Sequence, residues 1–234
     1  MSTLRKRFWN TVDIADAEGG FAVQLDGREV KTPARTPLRV PTRAIADLIA
    51  QEWAAQGDKV DPDTMPATRA ANAALDKVQA QFHEVAALLT AYGETDLLCY
   101  RAEAPSELVA RQAAAWDPLL DWSSQQFGVK WAVTAGVMPT PQPPETTAKL
   151  GQVVTGLSPF QLTAFHDLVS MSGSLVIALA VTHKIAPPDA LWEISRIDEL
   201  WQIEQWGEDD EAQALADRRR LSFMNAVRFF DACC

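Results

Sequence analysis

Cysteine, histidine and glycine are all scarce in this chain of 234 residues, and each scarcity closes a route to function. The three cysteines are Cys99, Cys233 and Cys234. Cys99 stands alone, and an adjacent terminal pair makes a poor staple, so a reducing compartment is expected. The histidines, His83, His166 and His183, form no His-Glu-x-x-His pattern and no Cys-x-x-Cys accompanies them, so neither a metal nor any other cofactor is expected. They read as structural, with His183 beside Lys184 complementing a helix end. The eleven glycines give no G-x-G-x-x-G and no phosphate loop. Gly173 stands in Ser-Gly-Ser rather than in a nucleophile elbow, and in a stretch that reads as mid-helix. Long apolar runs are missing too: Leu175 to Val181 is far too short to span a bilayer. Met1 to Asn10 carries Arg5, Lys6 and Arg7 without an apolar stretch behind them, so no signal peptide is read. Basic residues are outnumbered, 21 against 31 acids, for a net charge of −10. That balance disfavours nucleic acid and anionic membrane, both of which need clustered Lys and Arg.

What the chain has instead is an acidic, aromatic segment from Ser195 to Glu211. Between Asp189 and Asp217 lie ten carboxylates (Asp189, Glu193, Asp198, Glu199, Glu204, Glu208, Asp209, Asp210, Glu211 and Asp217) against Arg196 alone. A solvated helix face is one reading of such a run. The other is a grip on a protein partner, since a desolvated tryptophan supplies area and flanking carboxylates supply orientation. Helical geometry places Glu199, Gln202 and Trp206 on or near one face, with Asp198 and Trp201 beside it. If that helix is docked, one of the two tryptophans is core and the other rims an exposed patch. Trp53 falls on an apolar stripe and is read as core. Carboxylate pairs such as Asp47 with Glu52, or Asp198 with Glu199, are too common to indicate acid/base chemistry.

The first forty residues read as strands and turns. Phe21 to Leu25, Asp26-Gly27 and Glu29 to Lys31 form a hairpin signal, because both turn positions tolerate positive φ. Leu38 to Val40 is a third short strand. Thr42 then caps a helix with an apolar face of Ile45, Leu48, Ile49 and Trp53, ending near Gly57. Another helix opens at Pro66 and runs, with a break, to Tyr92-Gly93. A third opens at Pro105-Ser106-Glu107 and ends at Gly128, with Pro118 kinking it or marking its restart. Residues 139–144, Pro-Thr-Pro-Gln-Pro-Pro, read as a stiff connector in preference to an SH3-type ligand. Ser158-Pro159-Phe160-Gln161 is a capping box for a helix that includes Ser170 to Ser174. Pro187-Pro188-Asp189 opens the acidic helix, and a last helix runs from about Glu208 to Phe230. The fold class is α+β: a small N-terminal β-containing domain at 1–62, extendable to about 90, then a larger, mostly helical domain at 63–234.

An ordered series of residues resembles one known family. It comprises Arg7-Phe8-Trp9, Leu25-Asp26-Gly27-Arg28, Lys31-Thr32-Pro33, Glu52-Trp53 with Gln56, and Met65-Pro66. It continues through Asp96 with Tyr100-Arg101, Trp116-Asp117-Pro118, Ser195-Arg196, Glu199, Gln202 and Trp206-Gly207. The chain in this respect resembles the ATP synthase assembly chaperones of mitochondria and alphaproteobacteria, which bind the free alpha subunit of the catalytic head. The resemblance implies a two-part fold, a small β-containing N-terminal domain followed by a larger orthogonal helical bundle, and a role that is not enzymatic. It implies shielding of the unassembled alpha subunit against aggregation until a beta subunit replaces the chaperone.

The family carries a functional glutamate in the Ser-Arg…Trp-Gly segment, matched here by Glu199, with Asp198 adjacent. The expected partner-binding set is Glu199, Asp198, Gln202, Trp206, Glu204 and Arg196. The Gly207-Glu-Asp-Asp-Glu tract differs from mitochondrial members, so its carboxylates are not carried over. Mitochondrial members also carry a presequence; none is read here, so a bacterial cytoplasmic protein is expected, monomeric when free and without stable membrane association. Two other readings stand beside this one: an enzyme using an acidic inter-domain cleft, and a generic helical scaffold without client preference.

Overall fold

The computed structural model describes residues 6–136 and 138–234; Arg5, the first of the N-terminal basic residues, lies outside them. Two compact units are present. The first comprises residues 1–82 with 158–164 and 228–234, and the second 83–157 with 165–227.

The first unit is built on an antiparallel sheet. Strand β1 (Val12–Ala17) pairs with β2 (Gly20–Leu25), and β2 pairs in turn with the short β3 (Arg28–Glu29) and β4 (Arg39–Val40). Leu25 faces Arg28 across the second hairpin, so Asp26-Gly27 is a two-residue loop as the sequence indicates. Both have positive φ, 48° and 76°, the geometry that matches the twist of the flanking strands. Asp26 also accepts from the Thr11 and Asn10 amides at 2.8 and 3.0 Å, which holds its carboxyl below the usual range.

Helix α1 (Arg43–Ala54) packs on β1 and β2 through Ile45, Ala46 and Ile49. Its cap is Thr42, which accepts from the Ile45 amide and donates to the Ala232 carbonyl. Trp53 meets the buried Trp9 edge-on at 4.9 Å and is itself half-buried, so it sits at the margin of the core and not within it. Helix α2 (Pro66–Ala73) starts at the proline and leads into a π-helical turn, Ala74–Val78, which is the break before α3 (Phe82–Ala91). Asp76 in that turn accepts from the Thr32 hydroxyl at 2.7 Å and the Ala34 amide at 3.1 Å, fixing the loop between β3 and β4.

The second unit is helical apart from a parallel pair, β5 (Tyr100–Arg101) with β6 (Thr134–Ala135). Helix α4 (Ser106–Phe127) passes through Pro118 without restarting and ends at Gly128, φ 64°. Pro118 lies on the exposed face, where the carbonyl it leaves unpaired meets water.

The proline-rich segment is irregular from 139 to 143 and links β6 to the next helix, as a connector does, but it is anchored to its own unit and its last proline is helical. Gln142 is buried and clamps the Ala132 backbone by both its amide and its carbonyl, at 3.0 and 2.8 Å. Pro144 is the first residue of a further helix, α5 (Pro144–Thr155), which proline density had obscured.

Helix α6 (Pro159–Ser172) opens with the reciprocal capping box, Ser158 N to Gln161 Oε1 at 2.9 Å and Gln161 N to Ser158 Oγ at 3.2 Å. It stops at Ser172, so Gly173 is a junction rather than mid-helix. Its φ of 72° ends one helix, and Ser174 caps the next, α7 (Leu175–Thr182). Every residue of α7 from Leu175 to Val181 is buried, which accounts for the long apolar run as a central core helix. His183 closes it, with Nδ1 2.9 Å from the Leu179 carbonyl and its ring in a three-ring, edge-on cluster with Trp122 and Phe127.

The acidic segment divides into α8 (Pro188–Ile194) and α9 (Ile197–Trp206), and α10 (Asp210–Ala232) follows. Among the described residues no helix is long and apolar enough to cross a membrane.

Candidate functional site

Helix α9 is held against α4 by side chains from consecutive positions, Arg111 and Gln112, while Trp116 one turn on holds the end of α8. Trp116 is fully buried and donates its indole N–H to the Ile194 carbonyl at 2.9 Å, which fixes the end of α8. The buried Gln112 accepts from the Ala102 amide at 2.8 Å and donates to Asp198 Oδ1 at 2.6 Å. Arg111 reaches both oxygens of Glu204 at 2.8 Å, an exposed pair. On α9's own first turn Arg196 pairs with Glu199 at 2.9 Å while lying over the Trp192 ring.

The six residues expected from the sequence therefore fall into two groups. Asp198, Glu204, Arg196 and Glu199 are engaged within the chain, Asp198 by a buried amide and the others by ion pairs at the surface. Gln202 and Trp206 are exposed, and among the described residues neither side chain makes a hydrogen bond. Trp206 is 79% exposed, whereas Trp201 is half-buried, which assigns the rim and inner roles between the two. An ion pair at the surface contributes little to stability, so Glu199 can exchange Arg196 for another cation at small cost. Asp198 cannot, because leaving it would strand the buried Gln112 amide. The two neighbours thus differ in surroundings: Asp198 ties α9 to α4 through Gln112, and Glu199 lies at the surface paired with Arg196.

Arg111 and Gln112 are the members of this site that sequence reasoning missed. They lie 93 and 86 residues from the carboxylates they hold, and nothing local marks them.

The carboxylates whose pKa rises lie elsewhere. Asp96 is fully buried and is pushed up to about 6 by desolvation, against the lowering effect of its donors. Those donors are the Val176 amide at 3.0 Å, the Ser174 hydroxyl at 2.7 Å and the Leu98 amide at 3.0 Å. Glu52 is likewise raised by burial while accepting from the Ala67 amide at 2.6 Å and from the Thr68 amide and hydroxyl at 2.8 and 2.7 Å. Each is a long-range cap: Asp96 on the start of α7, Glu52 on the start of α2. Cys99 and Cys233 are both pushed up to about 12, chiefly by burial, and so stay as thiols.

A helical unit that offers an exposed tryptophan among carboxylates has the makings of a binding surface, and the likeness to known proteins is to chaperones. Residues 6–124 match the model of the ATP12 chaperone protein family. The chain is 26% identical over 222 residues to the mitochondrial protein atp12 of Schizosaccharomyces pombe, covering 90% of this chain and 76% of that protein. It superposes on the crystal structure of Atp12 from Paracoccus denitrificans with a TM-score of 0.95, at 47% identity over 98% of both chains. A mutant of that protein with an aspartate replaced by lysine matches to the same degree. The chain belongs to the ATP12 chaperone family, which serves in assembly of the ATP synthase.

Proposed function

We propose that this protein holds the unassembled alpha subunit of the F-type ATP synthase, covering surface that would otherwise aggregate until a beta subunit displaces it. The observation that carries the reading is Trp206, 79% exposed at the end of a helix whose carboxylates are held in register by α4. A buried Trp anchor with charged neighbours is a common form of interface hot spot. An exposed apolar surface on a free subunit needs matching apolar area. Release requires that no contact be too tight. Rim carboxylates meet that need, since they raise the rate of encounter and set register more than they slow departure.

In this reading Glu199 leaves Arg196 to pair with a cation of the client, Gln202 supplies a neutral hydrogen-bonding group beside it, and Trp206 fills an apolar pocket. Arg196, Asp198 and Glu204 hold α9 in place. The free protein acts as a monomer in the bacterial cytoplasm. The Asp-to-Lys mutant of the Paracoccus protein matches this chain as well as its parent does, so in that relative a charge reversal leaves the fold in place. Charge reversal is therefore a fair probe here. Glu199→Lys is expected to keep its thermal midpoint and to lose capture of the alpha subunit in co-purification. Retention of both fold and capture would remove Glu199 from the site.

A further inference from the structure

Of the ten residues of α9 only Ile197 is buried, so apolar packing does little to fix where that helix lies. Polar links do it instead, and they meet at the corner between α8 and α9. Trp116 donates to the Ile194 carbonyl, one of those that a helix end leaves without an intrahelical partner. Gln112, one turn earlier on α4, donates to Asp198 on the other side of the corner. Behind these two side chains stand two consecutive residues, Arg101 at the end of β5 and Ala102. The Ala102 amide donates to Gln112 Oε1 at 2.8 Å. The Arg101 guanidinium lies over the Trp116 ring, 5.2 Å from its centroid.

The Arg101 side chain is only 9% exposed, and a guanidinium taken out of water is costly unless its donors are met. Here they are met from two sides. Nε donates to the Leu98 carbonyl at 2.9 Å and Nη2 to Asp117 Oδ1 at 2.7 Å. Leu98 belongs to a turn that the buried Asp96 holds through the Leu98 amide, and Asp117 follows Trp116 on α4. Both acceptors are therefore fixed, and between them they hold the guanidinium against one face of the indole. A position that needed bulk alone would take an apolar side chain without the cost of burying a charge. We propose that Arg101 is a positioning residue for α9: it keeps the Trp116 indole turned toward Ile194, and so sets the direction in which α9 leaves the corner. Its bearing on capture rests on the reading of α9 as the contact with the alpha subunit.

The test is hydrogen exchange on the full chain, well below its unfolding temperature, with capture of the purified alpha subunit measured alongside. Amides of α9 exchange through local opening, whereas those of the central helix α7 exchange only when the whole unit opens. A loss of overall stability therefore moves the α7 rates, and a loosened corner moves the α9 rates. In Arg101→Met, amides 197–206 are expected to exchange about ten-fold faster, and capture to weaken by about the same factor. Arg101→Lys keeps the charge and can keep the pair with Asp117, but cannot also bond Leu98 and lie flat on the indole. It is expected to restore the α7 rates and thermal midpoint while leaving α9 fast, a split that a merely structural role does not give. If Arg101→Met folds poorly, Asp117→Asn removes one acceptor at an exposed position and should show the same α9 loosening in weaker form. Unchanged α9 rates in these variants, or α9 and α7 recovering together in Arg101→Lys, overturn the positioning role. A loosened α9 with undiminished capture leaves that role standing and removes α9 as the client's contact.

Discussion

The two compact units differ in charge. Residues 1–82, 158–164 and 228–234 hold twelve Lys or Arg against twelve Asp or Glu, so that unit is neutral. The other unit holds nine against nineteen and carries the whole net charge of −10. Carboxylates are also used differently. In the sheet unit Asp26, Glu52 and Asp76 each accept from backbone amides and lock a turn, a helix start and a loop. In the helical unit Asp96 does the same, but Glu199, Glu204 and the Glu208–Glu211 run lie at the surface. An acidic excess destabilises a compact unit by self-repulsion, so its concentration on one unit is better explained by a partner than by folding. Under the proposed function such a surface would attract basic groups of the client within a Debye length of about 8 Å, and salt would weaken that attraction.

Removing carboxylates of each kind separates the two uses. The largest loss of stability is expected from Asp96→Ala, which leaves the Ser174 hydroxyl and the Leu98 and Val176 amides without their acceptor in the core. A cost of about 3 kcal/mol or more in urea unfolding is expected. Asp96 also makes stability depend on pH. Its carboxyl moves from 3.8 to about 6 on folding, so the folded chain holds that proton more tightly than the unfolded one. The stabilisation from this group is fully present below about pH 4 and is lost as pH rises through about 6. Relative to Asp96→Asn, the wild type should therefore lose stability between those values and be level above pH 7. A flat difference would show that the carboxyl is not desolvated as described.

Glu52→Ala comes next, at about 2 kcal/mol, because its three donors at the start of α2 are nearer solvent. Asp198→Ala should cost about 1 kcal/mol through the stranded Gln112 amide, and should also reduce capture by loosening α9. Glu204→Gln is expected to change unfolding by less than about 0.5 kcal/mol, since an exposed ion pair contributes little. An Asp198 substitution as silent in unfolding as Glu204→Gln would erase the distinction between positioning and surface carboxylates.

The sequence made local devices legible and left long-range ones hidden. Asp26-Gly27, the Thr42 cap and the Ser158/Gln161 box all act within four residues, and residue identity alone defines them. The break between α2 and α3 was visible too, though not that it is a π turn holding Asp76. Ser172-Gly173-Ser174 reads as small residues in one helix because its divider, the positive φ of Gly173, leaves no mark in apolar periodicity. Proline density at 139–144 suggested a spacer and hid both Gln142's clamp and the start of α5. In the candidate site, Arg196 with Glu199 lies at helical spacing and could be read. The holding of Asp198 and Glu204 by Gln112 and Arg111 could not, nor could Asp96 as the cap of a helix that begins some eighty residues later. Exposure is likewise a tertiary property: Trp206 and Trp201 differ little in sequence context, and only packing decides which one faces water.

The central claim is that the acidic helical unit grips one particular subunit. Its most direct test is co-purification of the full chain with separately expressed alpha and beta subunits of its own ATP synthase, at low and high salt. Selective capture of alpha, weakened by salt and lost in Glu199→Lys, is the expected result. Equal capture of both subunits, or capture of neither by the folded protein, would contradict it.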